Sequence, residues 1–323
     1  MKKALIDVPV LLLFFVRPDT FRKVFEQVKE ARPSKLFLFQ DGAREGRPGD
    51  AEKIEECRKI AEDIDWECEV HTYYSEKNLT CDHAEYTAIS WAFKYVDRLI
   101  ILEDDIIPSQ SFFRYCYELL EKYINDSRIQ MIAGLNHLDD SSRTVSESYF
   151  FSKVISVWGW ATWKEKWERC DTSFDYIKHE EFRKLILDNI QPKSWAKFQL
   201  ARAEKTYNQF KENGTIYSWE LMNAMAMHLN SSYAIVPVKN MISNIGITED
   251  STHNVNDIRK LPKGIRWIFN MKRYELEFPL KHPKYVMENK EYRRKTFSKM
   301  ARNNKLKQFY RRVESKIRRI IIQ

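Results

Sequence analysis

The chain has 323 residues, 43 % of them hydrophobic and 14 % aromatic, with only 8 glycines and 10 prolines. That is enough to enclose one large core or two modest ones, and it argues against long disordered stretches. Cys57, Cys68, Cys81, Cys116 and Cys170 form an odd set without CxxC spacing, which argues against a disulfide framework or a zinc site and for a reducing compartment. The net charge of +8 is uneven: residues 289–323 carry 13 Lys/Arg against 2 Glu, leaving −3 for everything before them.

Met1-Lys2-Lys3 and the apolar residues that follow superficially resemble a secretory leader. Asp7 and Pro9 interrupt the segment, however, and no small-residue cleavage site precedes Arg17-Pro18, so Val8 to Val16 reads as a first buried strand. Asp19 or Thr20 is expected to cap the helix that follows, and Asp50 the next one. From Val8 to about Gly134, apolar runs alternate with helix-period segments: VPVLLLFFV, KLFLF, ECEVHTYY, RLIIL and IQMIAG separated by four amphipathic stretches. This pattern implies βαβ crossovers, hence an α/β fold with a mainly parallel, Rossmann-like sheet flanked by helices.

The most informative stretch is Leu99-Ile100-Ile101-Leu102-Glu103-Asp104-Asp105. Four aliphatics read as a buried strand that delivers three acids to the open end of the sheet, where α/β proteins bind ligands. Adjacent carboxylates repel one another, so the cluster suits a divalent cation, Mn²⁺ or Mg²⁺, held against phosphate oxygens; an acidic solvated turn is the competing reading. Alternation along an extended chain places Glu103 and Asp105 on one side and Asp104 on the other.

The second half is less regular. It contains a tryptophan patch from Val157 to Trp163, polar helical segments around 178–212, a helix from Trp219 to Leu229, a strand from Tyr233 to Val236, and a polar loop from Asn244 to Asn254 that could act as a lid. Gly159, between two tryptophans, could permit close approach of a substrate. The basic tail, with Phe297, Met300, Phe309, Tyr310, Val313, Ile317 and Ile320 to Ile322 as apolar partners, could lie on an anionic membrane surface or pack on the domain as a solvated terminal helix. No run approaches the length of a membrane span, and nothing outside the tail supports nucleic-acid binding.

No glycine-rich phosphate loop follows the first strand, which disfavours dinucleotide oxidoreductases, P-loop enzymes and sugar-nucleotide pyrophosphorylases. The segments VPVLLLFFVRPDTFRK, LFQDG, SEKNL, ILEDDIIPSQSFF, SVWGWATWKEKW, SWELM and SNIGITEDSTH, in this order across Val8 to His253, resemble the GT-A glycosyltransferases. Within them the chain is similar to bacterial polysaccharide enzymes related to the Golgi N-acetylglucosaminyltransferase that initiates hybrid N-glycans. The resemblance implies a GT-A domain over 1–260, with a nucleotide half to about 135 and an acceptor half beyond it, followed by a basic helical extension over 261–323.

By the same likeness, Arg17 and Asp41 line the nucleotide pocket, Asp104 meets the ribose, Asp105 holds the metal directly and Glu103 holds it through water. Glu220, the acid after Trp219, is the implied catalytic base, although the family acid is aspartate. His253 could reach the diphosphate, Trp158 a sugar, and Lys77 and Asn78 the donor; Thr80 stands where the likeness leads one to expect glycine. The implied activity is transfer of a sugar, most simply UDP-linked, to a saccharide or lipid-linked saccharide, in the cytoplasm or peripherally on the inner face of the plasma membrane. A non-catalytic, membrane-associated carbohydrate or nucleotide-sugar binding protein remains the alternative, with the tryptophans and the tail carrying the function. A metal-dependent nucleotidyltransferase is the third reading.

Overall fold

The structure is a computed structural model that describes residues 1–247, 257–300 and 305–321. The first half alternates strand and helix: β1 (Ile6–Phe14), α1 (Pro18–Ala31), β2 (Pro33–Gln40), α2 (Gly49–Ala61), β3 (Glu69–Tyr74), α3 (Cys81–Ala92), β4 (Arg98–Glu103), a short β5 (Ile106–Pro108), α4 (Gln110–Lys122) and β6 (Ile129–Ala133). The second half adds β7 (Tyr149–Ser152), β8 (Trp160–Trp163), α5 (Lys164–Glu168), α6 (Glu180–Asn189), α7 (Lys193–Asn213), α8 (Trp219–Leu229), β9 (Tyr233–Pro237), β10 (Ile242–Asn244), α9 (Lys263–Arg266), α10 (Lys290–Lys299) and α11 (Lys305–Ile321).

Eight strands form one sheet in the order β3-β2-β1-β4-β8-β6-β9-β7, and β10 pairs with β5 in a separate two-stranded ribbon. The β1–β2, β2–β3, β1–β4 and β6–β9 pairs are parallel, while β8 runs antiparallel to both β4 and β6. Alternate residues of the parallel strands feed two cores, as buried strands covered on both faces require. Val10 and Leu12 of β1, Leu36 and Leu38 of β2, and Ile100 and Leu102 of β4 meet Phe21, Val24, Phe25 and Leu119 on one side. Leu11, Leu13, Phe37, Phe39, Leu99 and Ile101 meet Ala88, Ile89, Met222 and Met225 on the other. The fold is thus the expected α/β type, a mostly parallel sheet between helical layers.

Three local expectations are corrected. β1 stops at Phe14, two residues before the expected end, because the chain leaves the sheet at Phe15 and Pro18 starts α1, a position where its missing N–H costs nothing. Neither Asp19 nor Thr20 caps α1; Arg17 occupies the cap position and its side chain makes no capping bond to the helix, while the Thr20 hydroxyl donates to the Arg17 carbonyl at 3.1 Å. Asp50 lies inside the first turn of α2, where Arg44 grips it in a two-pronged bond at 2.7 Å on each oxygen.

The tryptophan patch is a core strand. Trp160 and Trp163 of β8 are buried, and the Trp163 indole donates to the Leu120 carbonyl at 3.0 Å. Gly159, at φ +60°, permits close packing and not substrate approach, since a Cβ there would lie 2.4 Å from Ile242 Cδ1. The extension beyond 260 is only partly helical: residues 267–289 run without a helix and bury Met271, Leu276 and Leu280 against the main core. All five cysteines are unpaired, and among the described residues no helix is long and apolar enough to cross a membrane.

Candidate active site

A cavity of about 330 Å³ opens at the C-terminal ends of β1, β2 and β4. β2 and β4 flank β1 on opposite sides, so the strand order reverses there, the place where open α/β sheets leave a crevice for a ligand. Its size lies within the range of small-molecule sites. Leu13 to Arg17 form one wall; Phe39, Asp41, Arg44, Asn78 and Thr80 a second; Cys81, Ala84 and Glu85 of α3 a third; Glu103 and Asp104 close it.

Asp41 follows directly on β2 and is fixed by three donors. Its Oδ1 accepts from the N–H groups of Gly42 (2.9 Å) and Leu79 (2.8 Å), and its Oδ2 accepts from Asn78 Nδ2 at 2.9 Å. Burial outweighs these bonds and holds Asp41 above the ordinary aspartate range. The loop that supplies Asn78 bends sharply: Thr80 sits at φ +68°, ψ 159°, a region almost reserved for glycine, so the backbone there already has the shape that the expected glycine would take.

The acid run behaves differently from the alternation expected of an extended chain. β4 ends at Glu103, and Asp104-Asp105 form a turn, so both aspartates reach a single guanidinium. Arg17 Nη1 donates to Asp105 Oδ2 at 2.8 Å, Arg17 Nη2 donates to Asp104 Oδ1, and the Phe15 N–H donates to Asp104 Oδ2 at 3.2 Å. Burial works against the charged guanidinium, but the two aspartates more than offset it. Burial also raises Asp104, against the pull of Arg17, and raises Glu103 well above its usual value, with Glu85 and Asp105 adding repulsion. Gly246 lies on the same pair: a Cβ there would sit 1.9 Å from Asp105 Oδ2, and the Ile245 N–H donates to the Asp105 carbonyl at 2.9 Å. The start of the expected lid, from 244 to 247, is therefore tied down against the acids.

Asp105 Oδ1 is buried without a hydrogen-bond partner. An orphaned oxygen on an aspartate whose charge bears on that of Glu103 fits part of the shell of a hard divalent cation, which takes oxygen ligands and keeps several waters or phosphate oxygens. Among the described residues no cluster of three or more His, Cys, Asp or Glu converges. The chain would thus supply one or two ligands to such a cation, and water or a bound ligand the rest.

Glu85 is a residue of the cavity wall that the sequence reading missed. It lies on the buried side of α3 between Ala84 and Ala88, where an acid among small apolar residues is the only sequence signal. Its carboxylate accepts from the Trp219 indole N–H and, at 3.0 Å, from the Cys81 thiol. Burial pushes it up to about 7, with Asp82 and Glu220 adding repulsion. The folded protein therefore keeps this proton to higher pH than the unfolded chain, in which a glutamate titrates near 4.5. Its contribution to stability is full below about pH 4.5 and lost as pH rises through about 7, a change of about 3 kcal/mol. Glu85→Gln should flatten that slope: urea unfolding at about pH 5 and about pH 8 should separate by about 3 kcal/mol less in the variant than in the parent. Equal slopes would show that Glu85 is ionised in both states.

Arg17, Asp41, Asn78, Glu103 and Asp104 line one cavity, and Asp105 adjoins it through Arg17. Trp158 does not line it and instead packs on Phe269, ring centres 5.7 Å apart. Glu220 is also outside the lining and pairs with Arg202 of α7, although its neighbour Trp219 reaches Glu85 in the cavity wall. His253 lies outside the described residues.

No family model and no curated protein matches the sequence. Among solved structures the chain is similar to a UDP-glucose pyrophosphorylase complexed with UDP-glucose, at 10 % identity and a TM-score of 0.34, over 73 % of this chain and 92 % of that one. At that similarity it is the strand order and the cavity that describe this protein.

Proposed function

We propose that the protein is a metal-dependent glycosyltransferase that moves a sugar from a nucleoside-diphosphate donor, UDP-linked in the first instance, to a hydroxyl of a saccharide acceptor. The observation that carries this reading is that Arg17, Asp41, Glu103 and Asp104 line one cavity at the strand-order reversal, with Asp105 joined to it through Arg17. Each part has a matching piece of such a donor. Phe15 and Phe39 offer apolar walls to a base, with the Arg44 guanidinium 5.2 Å from the Phe15 ring centre, and the Asp41 carboxylate in the lining suits a base N–H. Arg17, already held between two carboxylates, can turn one face to a phosphate.

Glu103 and Asp105 are the residues that would hold Mn²⁺ or Mg²⁺, whose charge, when bound, stabilises the departing diphosphate. The chain itself must orient the donor, exclude water and remove a proton. In the proposed step Glu220 takes the proton of the acceptor hydroxyl. The acceptor oxygen then bonds to the anomeric carbon as the bond from that carbon to the phosphate oxygen breaks, inverting the configuration. The nucleotidyltransferase reading stays behind this one because no glycine-rich turn follows β1 to let the backbone approach a triphosphate closely.

Calorimetric titration with a panel of nucleotide sugars, with and without Mn²⁺, tests the reading. At least one UDP-sugar should bind at least about tenfold tighter with the cation, and Asp105→Asn should lose most of that gain, as removal of a metal ligand does. Cation-independent binding, or no binding of any nucleotide sugar, would overturn it.

A further inference from the structure

α11 presents itself the opposite way from a helix that packs on a core. Leu306, Phe309, Tyr310, Val313 and Ile317 recur at helical spacing and form one apolar stripe. All five are exposed, between 38 % and 63 %. The helix is held to the body by its polar edge instead. Arg311 donates to the Met300 carbonyl at 2.8 Å and the Lys299 carbonyl at 3.1 Å, at the end of α10. Glu314 accepts from the Lys263 N–H at 3.1 Å, and Arg318, paired with Glu314 at 2.7 Å, donates to the Arg259 carbonyl at 3.5 Å. These bonds stop the helix from rolling its stripe inward.

We propose that α11 is an interfacial helix whose stripe enters the headgroup region of an anionic bilayer, lying in the membrane plane over about 25 Å of its 17 residues. Charge selects this occupant. The segment carries seven Lys/Arg against Glu314 alone. A second copy docked stripe to stripe would bring two such helices together and repel, whereas anionic lipid headgroups complement the charge while the acyl boundary takes up the apolar residues. The polar anchoring explains why the stripe faces away from the domain, which a helix bound by charge alone would not need. This surface is separate from the cavity and stands whatever reaction the cavity performs.

The test uses the full chain and sedimentation with vesicles of phosphatidylcholine alone or mixed with phosphatidylglycerol. The protein should bind the mixed vesicles and leave the neutral ones largely free. The double variant Phe309→Glu, Ile317→Glu should bind the mixed vesicles at least about tenfold more weakly, because apolar insertion is lost, while its thermal midpoint stays unchanged. Three results would each overturn the proposal: no binding to anionic vesicles, equal binding by the double variant, or a solution dimer that the double variant abolishes without any vesicle binding by the parent.

Discussion

Replacing Arg17 with methionine should destabilise the fold by about 3–5 kcal/mol, the range found when one partner of a buried ion pair is removed and the other charge is left behind. The size follows from what would remain. Asp104 and Asp105 are 2 % and 7 % exposed. Without the guanidinium, Asp104 keeps only the Phe15 N–H at 3.2 Å, and Asp105, whose Oδ1 already lacks a partner, loses the donor on Oδ2 as well. Methionine matches the length of the arginine stem, so the loss reports charge and not a cavity. Mn²⁺ should return part of that stability to the variant and change the parent less, because in the parent Arg17 occupies Asp105 Oδ2. Urea unfolding with and without the cation measures both effects. A variant within about 1 kcal/mol of the parent would mean that the aspartates are solvated; one that Mn²⁺ leaves unmoved would mean that they do not hold metal.

What the sequence made legible here was whatever depends on local pattern. The run Leu99 to Leu102 announces a strand buried on both faces, and the acids after it announce the strand's open end; both are where they were expected. The alternation of Glu103 and Asp105 failed for a physical reason: period-two reasoning holds only while the chain is extended, and β4 ends at Glu103. What pulls Asp104 and Asp105 together is Arg17, 88 residues from Asp105, and no local signal carries a partner at that distance. The same applies to β8. Its tryptophans were visible, but only pairing with β4 and β6 makes them a core strand that leaves Trp158 on Phe269 and away from the cavity. Glu85 was missed because an acid in an amphipathic helix is usually solvated; Trp219, 134 residues away, is what fixes it in the wall.

That link between Trp219 and Glu85 also bears on the proposed catalysis, in which Glu220→Gln is expected to lower turnover by about 10²–10⁴-fold with donor affinity unchanged, the range for removal of a general base. Trp219 is buried, stacked on Trp160 with ring centres 5.7 Å apart, and its indole is tied to the cavity wall. The first turn of α8 is therefore fixed against the cavity, and Glu220 projects from a rigid point beside it. Its carboxylate is half-exposed and rests on Arg202. On the proposed reading, an acid in that setting would meet an acceptor from outside while the donor is held within, the arrangement that in-line displacement needs. Glu220→Asp should retain most of the activity, within about tenfold, since the resemblance points to aspartate at this position and a shorter acid still accepts a proton. The amide cannot. If the glutamine variant turns over as fast as the parent, or if donor binding falls in step with turnover, Glu220 pairs with Arg202 for structure alone and the base must be sought elsewhere, first at Glu85, which Trp219 already holds in the wall.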